Sequence, residues 1–231
     1  ARKGLTKELQ ESEQRYRELF DRVDQGIYVI VDWHSHHAEE QTDQAIEFFT
    51  RIASEYGDKP NIIYEIYNEP LNVSWDNVLK PYSEAVIAAI RKFDPDNLII
   101  VGTPNWSQDV DAAAKNPIDD VNVAYAVHFY AKTHKQGLRD KCQKALDSGL
   151  ALFVTEFGTC AANGDGDIDY NELDAWFDFM DKNNISWCNW SIADKEETAS
   201  ALKPKTSPNG GWALDDLTES GKLIREEIRE R

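Results

Sequence analysis

Six short apolar runs, recurring at intervals of roughly 30 residues as βα repeats do, constrain this chain more than any other feature. They begin near Ile27, Ile62, Leu98, Val123, Ala151 and Ile185. Each is brief and rich in β-branched residues, so each reads as a strand. The runs are continuous rather than alternating in polarity, as expected of strands covered on both faces. Helical patterns fill most of the intervals. From Asn77 to Phe93, the residues Val78, Leu79, Tyr82, Val86, Ile87 and Ile90 fall on one face, and Asp94-Pro95 stops the run. Gln44 to Tyr56 repeats the pattern with Ala45, Phe48, Phe49 and Ile52. Strands alternating with helices at this spacing build a parallel sheet.

Chemically able side chains gather at the ends of these strands. His34 follows Ile27–Asp32, and Glu69 follows Asn61–Tyr67. His128 and Tyr130 close the fourth run, Glu156 follows Leu150–Val154, and Trp190 closes the sixth. Function at the C-terminal ends of many strands is the habit of a (β/α) barrel. A doubly wound open sheet, the alternative, concentrates function at one or two crevices. The expected fold class is therefore α/β, related to the TIM (β/α) barrel but incomplete, with about six readable parallel strands and an N-terminal helix. Two carboxylates brought by the ends of two strands are what acid/base and nucleophilic cleavage of a glycosidic bond requires.

The N-terminal segment reads differently. Leu5, Leu9, Ser12, Tyr16, Leu19 and Val23 form a heptad-like seam in a highly charged helix. That seam packs either on the first strand or against another chain. The expected division is residues 1–25 as an amphipathic helix for oligomerisation or barrel covering, and 26–231 as a partial barrel domain. The phrase Glu11–Phe20 is similar to the helix that leads into PAS sensor domains, though no such domain follows.

The net charge of −17 argues against nucleic acid and anionic membrane surfaces as partners. No apolar run is long enough to span a membrane, and the N-terminal residues show no signal-peptide core. The three cysteines, Cys142, Cys160 and Cys188, match no zinc or redox spacing and read as free thiols. The seven tryptophans serve either core packing or sugar stacking. His34-Ser35-His36-His37 could suggest a metal, yet no carboxylate completes a recognisable ligand pattern. The stretch Asn163–Glu172 mimics a calcium loop, with Asp165, Asp167, Asp169 and Glu172 on ligand positions. Ala161 at its first position cannot ligate, and no helix precedes it. No metal and no cofactor is expected.

Five phrases, each after a strand and in order, carry a family resemblance: Tyr28–His34, Tyr67-Asn68-Glu69-Pro70, His128-Phe129-Tyr130, Thr155-Glu156-Phe157-Gly158 and Trp187–Ser191. From Gly26 to about Ile228 the sequence resembles glycoside hydrolase family 5, and among its members the bacterial endo-β-1,4-glucanases. The resemblance implies Glu69 as general acid/base and Glu156 as nucleophile of a retaining reaction, with carboxyls about 5–5.5 Å apart. It implies Asn68 on the sugar 2-hydroxyl, Tyr130 orienting Glu156, and His34 and His128 lining the subsite of cleavage. Trp190 and Trp106 match stacking platforms. Lys195, Glu196 and Glu197 match residues that hold glucosyl hydroxyls, and Ala162 and Asn163 match positions along the cleft. His36 and His37 are expected as ordinary loop residues, and Trp33 and Trp176 as core.

The implied activity is endo-hydrolysis of β-glucan outside the cell, since the substrate is a polymer. A mannanase, a xyloglucanase, or a glucan-binding scaffold with little activity are the alternatives. The family pattern breaks at one place. Its barrel has eight strands, and nothing before Gly26 reads as the first two or supplies the arginine that supports the nucleophile. Two open sheet edges are expected to favour a homo-oligomer, and activity is expected to be reduced.

Overall fold

A computed structural model of the chain describes residues 26–230. The heptad-like seam, and with it the whole of the 1–25 helix, lies outside the described residues. The chain folds as two compact units. The first holds the residues up to Trp106 together with Asn116–Ala124, and the second holds Ser107–Lys115 and the residues from Tyr125 on.

The first unit carries three parallel strands in chain order, β1 (Val29–Asp32), β2 (Ile62–Glu65) and β3 (Ile99–Val101). Every residue of β2 and β3 is buried, which explains why both are apolar apart from Glu65 at the end of β2. Helix α1 (Thr42–Tyr56) follows β1 and buries Ala45, Phe49, Ala53 and Tyr56 as one stripe. After β2 the chain enters a π-helical stretch (Trp75–Leu79), capped by Ser74 Oγ, which accepts from the Asn77 amide at 3.2 Å. It continues as α2 (Lys80–Ile90), with Pro81 as its second residue.

Asp94, read in the sequence as a stop signal, is fully buried and organises the turn into β3. Its carboxylate accepts from Tyr64 Oη at 2.6 Å, from Asn97 Nδ2 at 2.7 Å and from the amides of Asp96 and Asn97. Arg91 donates to the Asp94 and Asn97 carbonyls beside it. A buried charge is tolerable when it is satisfied in this way.

The second unit repeats the plan with β4 (Val123–Tyr130, in this unit from Tyr125), β5 (Leu152–Gly158) and β6 (Ser186–Asn189), again parallel and in chain order. Helix α3 (Gln136–Asp147) joins β4 to β5, and α4 (Tyr170–Lys182) joins β5 to β6. Asp169 caps α4 by accepting from the Glu172 amide. Helix α5 (Glu219–Glu230) ends the described chain.

Trp176 on α4 is fully buried and stacks on Phe129 of β4 at 4.0 Å and 8°, while Phe129 stacks on Phe157 of β5 at 5.0 Å. Its Nε1 donates to the His134 carbonyl at 2.7 Å, and Arg139 lies over its ring. Trp33 contacts Phe48 and Phe49 in the first unit. Trp176 thus packs as core, as the sequence suggests, whereas Trp33 is only half-buried and donates through Nε1 to Gln41 Oε1 at 3.2 Å. Cys142 and Cys160 are buried free thiols and Cys188 is half-buried. Burial pushes Cys142 up to about 12 and Cys160 up to about 11, so neither is a nucleophile at neutral pH. Among the described residues, no helix is long and apolar enough to cross a membrane.

Candidate active site

In the first unit the polar residues sit where β1 and β2 end. Asp32 is the last residue of β1, and His34 lies two positions on, at the spacing that returns a side chain to the same side of an extended chain. Asp32 Oδ2 lies 2.7 Å from His34 Nδ1 and so orients the imidazole. Asp32 was missed as a partner in the sequence, although the Asp-x-His spacing at a strand end is a readable signal. Asn68 is buried and Glu69 half-buried in the loop after β2. The amide of Asn68 donates to the Trp33 carbonyl at 3.2 Å, and that of Glu69 to the Ser35 carbonyl at 3.3 Å.

His36 lies in the loop after β1, and there it meets Glu69. Its Nδ1 lies 3.0 Å from the Glu69 carbonyl oxygen and 3.7 Å from Oε2. Gly102, just past β3, makes room for this loop. A Cβ there would lie 2.3 Å from the Tyr67 carbonyl and 3.0 Å from the Pro70 ring. The loop after β3 then bonds back to the same motif, with the Trp106 amide donating to the Pro70 carbonyl at 2.7 Å. Asn105 and Trp106 both take left-handed backbone angles there, and Trp106 is 43% exposed.

In the second unit, strand register does the positioning. His128 pairs in register with Glu156, and Tyr130 with Gly158. Alternate residues of a strand share a face, so His128 and Tyr130 stand beside Glu156. Tyr130 Oη donates to Glu156 Oε1 at 2.8 Å within the buried interior, and His128 Nδ1 lies 4.0 Å from Oε2. His128 Nε2 meets Thr155 Oγ1 at 2.9 Å. Register shifts between Ala126 and His128, and between Val154 and Phe157, mark irregularities that re-aim side chains at the strand ends.

The glycine of Thr155-Glu156-Phe157-Gly158 has a steric reason. A Cβ at Gly158 would lie 2.3 Å from Tyr130 Cδ1, so only glycine lets the ring reach over it toward Glu156. Trp190, whose amide donates to the Phe157 carbonyl, packs against the cluster of Tyr130, Cys160 and Ala199. The second unit therefore brings Glu156, His128, Tyr130 and Trp190 together.

Lys195, Glu196 and Glu197 lie on the segment after β6. They line an open groove of about 760 Å³ with Asp165, Gly166, Asp167, Tyr170 and Glu219, and neither Glu156 nor Trp190 lines it. Ala162 and Asn163 are exposed on the loop beside it. The Ala162 amide donates to Thr133 Oγ1, and Asn163 Oδ1 accepts from the Asp165 amide. Thr198, a residue the sequence did not single out, ties this loop to the Lys195–Glu197 segment. Its hydroxyl lies 3.0 Å from Asp165 Oδ1 and 2.8 Å from the Gly166 carbonyl.

The carboxylates of the calcium-like stretch are engaged by protein donors. Asp167 pairs with Lys132, Asp169 with Lys135 and Glu172 with Arg139. These and the other donors hold Asp165, Asp167 and Asp169 below the ordinary carboxylate range, led by the Gly166 amide, Lys132 and Lys135 respectively. In the first unit, exposed His37 and Glu40 with half-buried Glu39 bring donor atoms within 4.8 Å of one another, a spacing that could hold a cation.

The family profile of cellulase (glycosyl hydrolase family 5) matches residues 11–196. Endoglucanase Z of Dickeya dadantii is 55% identical over 88% of this chain and 46% of its own length. Endoglucanase A of Evansella cellulosilytica is 52% identical over 90% of this chain and 44% of its own. The chain thus spans about half the length of these relatives. The solved catalytic domain of Thermobifida fusca endoglucanase Cel5A superposes with a TM-score of 0.86 at 37% identity, over 94% of this chain and 74% of that one. A variant of that domain has been solved in complex with cellotetraose. This likeness gives the fold class as α/β of the TIM (β/α) barrel type, with six parallel strands among the described residues. With a family match over most of its length and relatives at this identity, the chain belongs to glycosyl hydrolase family 5.

Proposed function

We propose that the chain serves endo-acting hydrolysis of β-1,4-glucosidic bonds in cellulose or related β-glucans, by a retaining double displacement. Glu156 attacks the anomeric carbon and forms the glycosyl-enzyme as the glycosidic bond breaks. Glu69 gives its proton to the leaving oxygen and then takes one from the incoming water. Asn68 holds the 2-hydroxyl, and Trp190 and Trp106 supply faces for sugar rings. His34, His128, Ala162, Asn163, Lys195, Glu196 and Glu197 serve the remaining contacts.

One observation carries most of this reading: the Tyr130–Glu156 hydrogen bond, made inside a β4–β5 register that also seats His128. A carboxylate tethered through one oxygen keeps the other at a fixed angle, and fixed angles are what attack on carbon needs. The endoglucanase names of the relatives, and the cellotetraose bound by the Thermobifida fusca domain, support the substrate class.

The test is reducing-sugar release from carboxymethylcellulose, mannan and xyloglucan by the chain and by Glu156→Gln. Highest activity on carboxymethylcellulose, lost in the variant, is the expected result. Binding without turnover in both would replace the enzyme by a glucan-binding scaffold. Proton NMR of the first product should show the β-anomer. Tyr130→Phe keeps the ring over Gly158 and removes only the donor. It is expected to lower kcat by about 10- to 100-fold, the kinetic weight of a hydrogen bond to a charged group, with little change in KM.

The polymeric substrate supports an extracellular site of action. A homo-oligomer built through the open edges at Ile27–Asp32 and Ile185–Ser191, or through the 1–25 segment, is part of the same reading. It is supported by Ile27 and Tyr28, which are 38% and 68% exposed just before β1, and by the heptad-like seam. Light scattering over a tenfold concentration range should show a mass above that of one chain, and a constant monomer mass would remove the idea.

A further inference from the structure

We infer that His36 is a positioning residue for the acid/base: it clamps the backbone carbonyl of Glu69 and presents the same N–H to its carboxylate. This rests on the proposed role of Glu69. A carbonyl oxygen only accepts, so the 3.0 Å contact requires the hydrogen on His36 Nδ1. Glu69 Oε2 lies 3.7 Å from the same nitrogen. The amide of Glu69 donates to the Ser35 carbonyl. Both backbone polar groups of the acid/base therefore hang on two consecutive residues of the loop after β1.

That loop is itself fixed from below. Tyr67 Oη is bonded to the His36 carbonyl at 3.0 Å and to the Glu39 carboxylate. Burial, then Glu39, push the Tyr67 hydroxyl well above its ordinary range, so it remains a donor at any working pH. The Tyr67 ring is buried and packs edge-on against Tyr82, whose hydroxyl donates to the Ile66 carbonyl at 2.7 Å. His36 thus stands on a rigid base, while about half of its side-chain surface is exposed at the open face of the unit. A proton donor must be within hydrogen-bond reach of the oxygen it serves, and an error of about 1 Å costs rate steeply. Without His36 the carboxyl of Glu69 would lose a guide on this side, and the peptide carrying it would lose one of its two backbone anchors to the loop.

Leaving-group dependence separates this role from a merely structural one. Cleavage of 2,4-dinitrophenyl β-cellobioside needs little protonic help, whereas phenyl β-cellobioside and carboxymethylcellulose need it fully. His36→Ala is expected to lower kcat about 10- to 100-fold on the last two, the range of general acid catalysis, and less than about threefold on the first. KM should be little changed. His36→Asn, whose Nδ2 overlies Nδ1, should restore most of the loss. Equal loss on all three substrates, or no rescue by asparagine, would overturn the role. Nitrogen-15 NMR of the ring reads the clamp without turnover: hydrogen on Nδ1 is expected, and a neutral ring protonated only at Nε2 overturns it. If the unaltered chain cleaves none of the three substrates, the glycosidase reading fails and the catalytic role of His36 falls with it, while the NMR still decides the clamp.

Discussion

Glu156→Gln is expected to reduce hydrolysis of carboxymethylcellulose by roughly four to six decades, or about 5–8 kcal/mol of barrier. The exchange is nearly isosteric. The amide oxygen can still accept from Tyr130 Oη, now placed 2.8 Å from Glu156 Oε1, so the register of β4 and β5 has no reason to change. What disappears is the negative oxygen that attacks carbon. No other group in this cluster replaces it: His128 lies on the same side but touches Thr155 through its other nitrogen. The variant should therefore keep its melting temperature and bind glucan while failing to cleave it. Retention of more than a tenth of the rate would move the nucleophile to another residue.

Trp176→Ala is expected to have the largest effect on stability. Truncating a buried tryptophan costs about 3–5 kcal/mol through lost transfer energy and the cavity left behind. Here the ring also backs the Phe129–Phe157 stack, and its Nε1 is the donor that satisfies the His134 carbonyl. Against a total of about 5–15 kcal/mol for a folded domain, such a loss leaves a marginal second unit. Thermal unfolding followed by circular dichroism should show a drop of roughly 10 °C. Trp176→Phe, which keeps a ring in the stack, should fall by less than half as much. Phe129 lies between His128 and Tyr130, and Phe157 follows Glu156. The alanine variant should thus also lose turnover at temperatures where it is still folded. A melting temperature unchanged within about 2 °C would refute the assignment of Trp176 as the keystone of this core.

The strands were legible because each is a short apolar, β-branched run, fully buried in β2 and β3, and five of the six begin within a residue or so of the expected place. The exception, β1, starts at Val29 rather than near Ile27, because Ile27 and Tyr28 are exposed and take no part in the strand. Helix limits were harder. The helix expected from Asn77 to Phe93 ends at Ile90 and begins as a π-helical stretch, and such a change of winding leaves the apolar spacing nearly intact.

Within the site, the nearness of Tyr130 to Glu156 follows from register between neighbouring strands, which a family pattern captures. The bond of Asp32 to His34 follows from the two-residue period of an extended chain, but that of His36 to Glu69 does not. It links residues 33 apart through loop backbone, and no spacing rule encodes that. The left-handed turn at Asn105 and Trp106 was likewise unreadable, since neither residue is glycine. The calcium-like stretch holds pairings of the same unreadable kind. Its spacing is suggestive, yet lysines and an arginine from other segments already occupy three of its carboxylates.

The two close approaches at glycine have a consequence for anyone altering this protein. Gly102 and Gly158 carry no chemistry, yet each leaves a void into which a reactive neighbour's support fits, the Tyr67 carbonyl and Pro70 ring in one case and the Tyr130 ring in the other. A library screened for expression would tolerate a methyl at Gly158 if the ring swung aside, and would silently discard the orientation of the carboxylate. A scan confined to acids, histidines and aromatics would never sample these positions. Part of what arms the site is the absence of two carbon atoms.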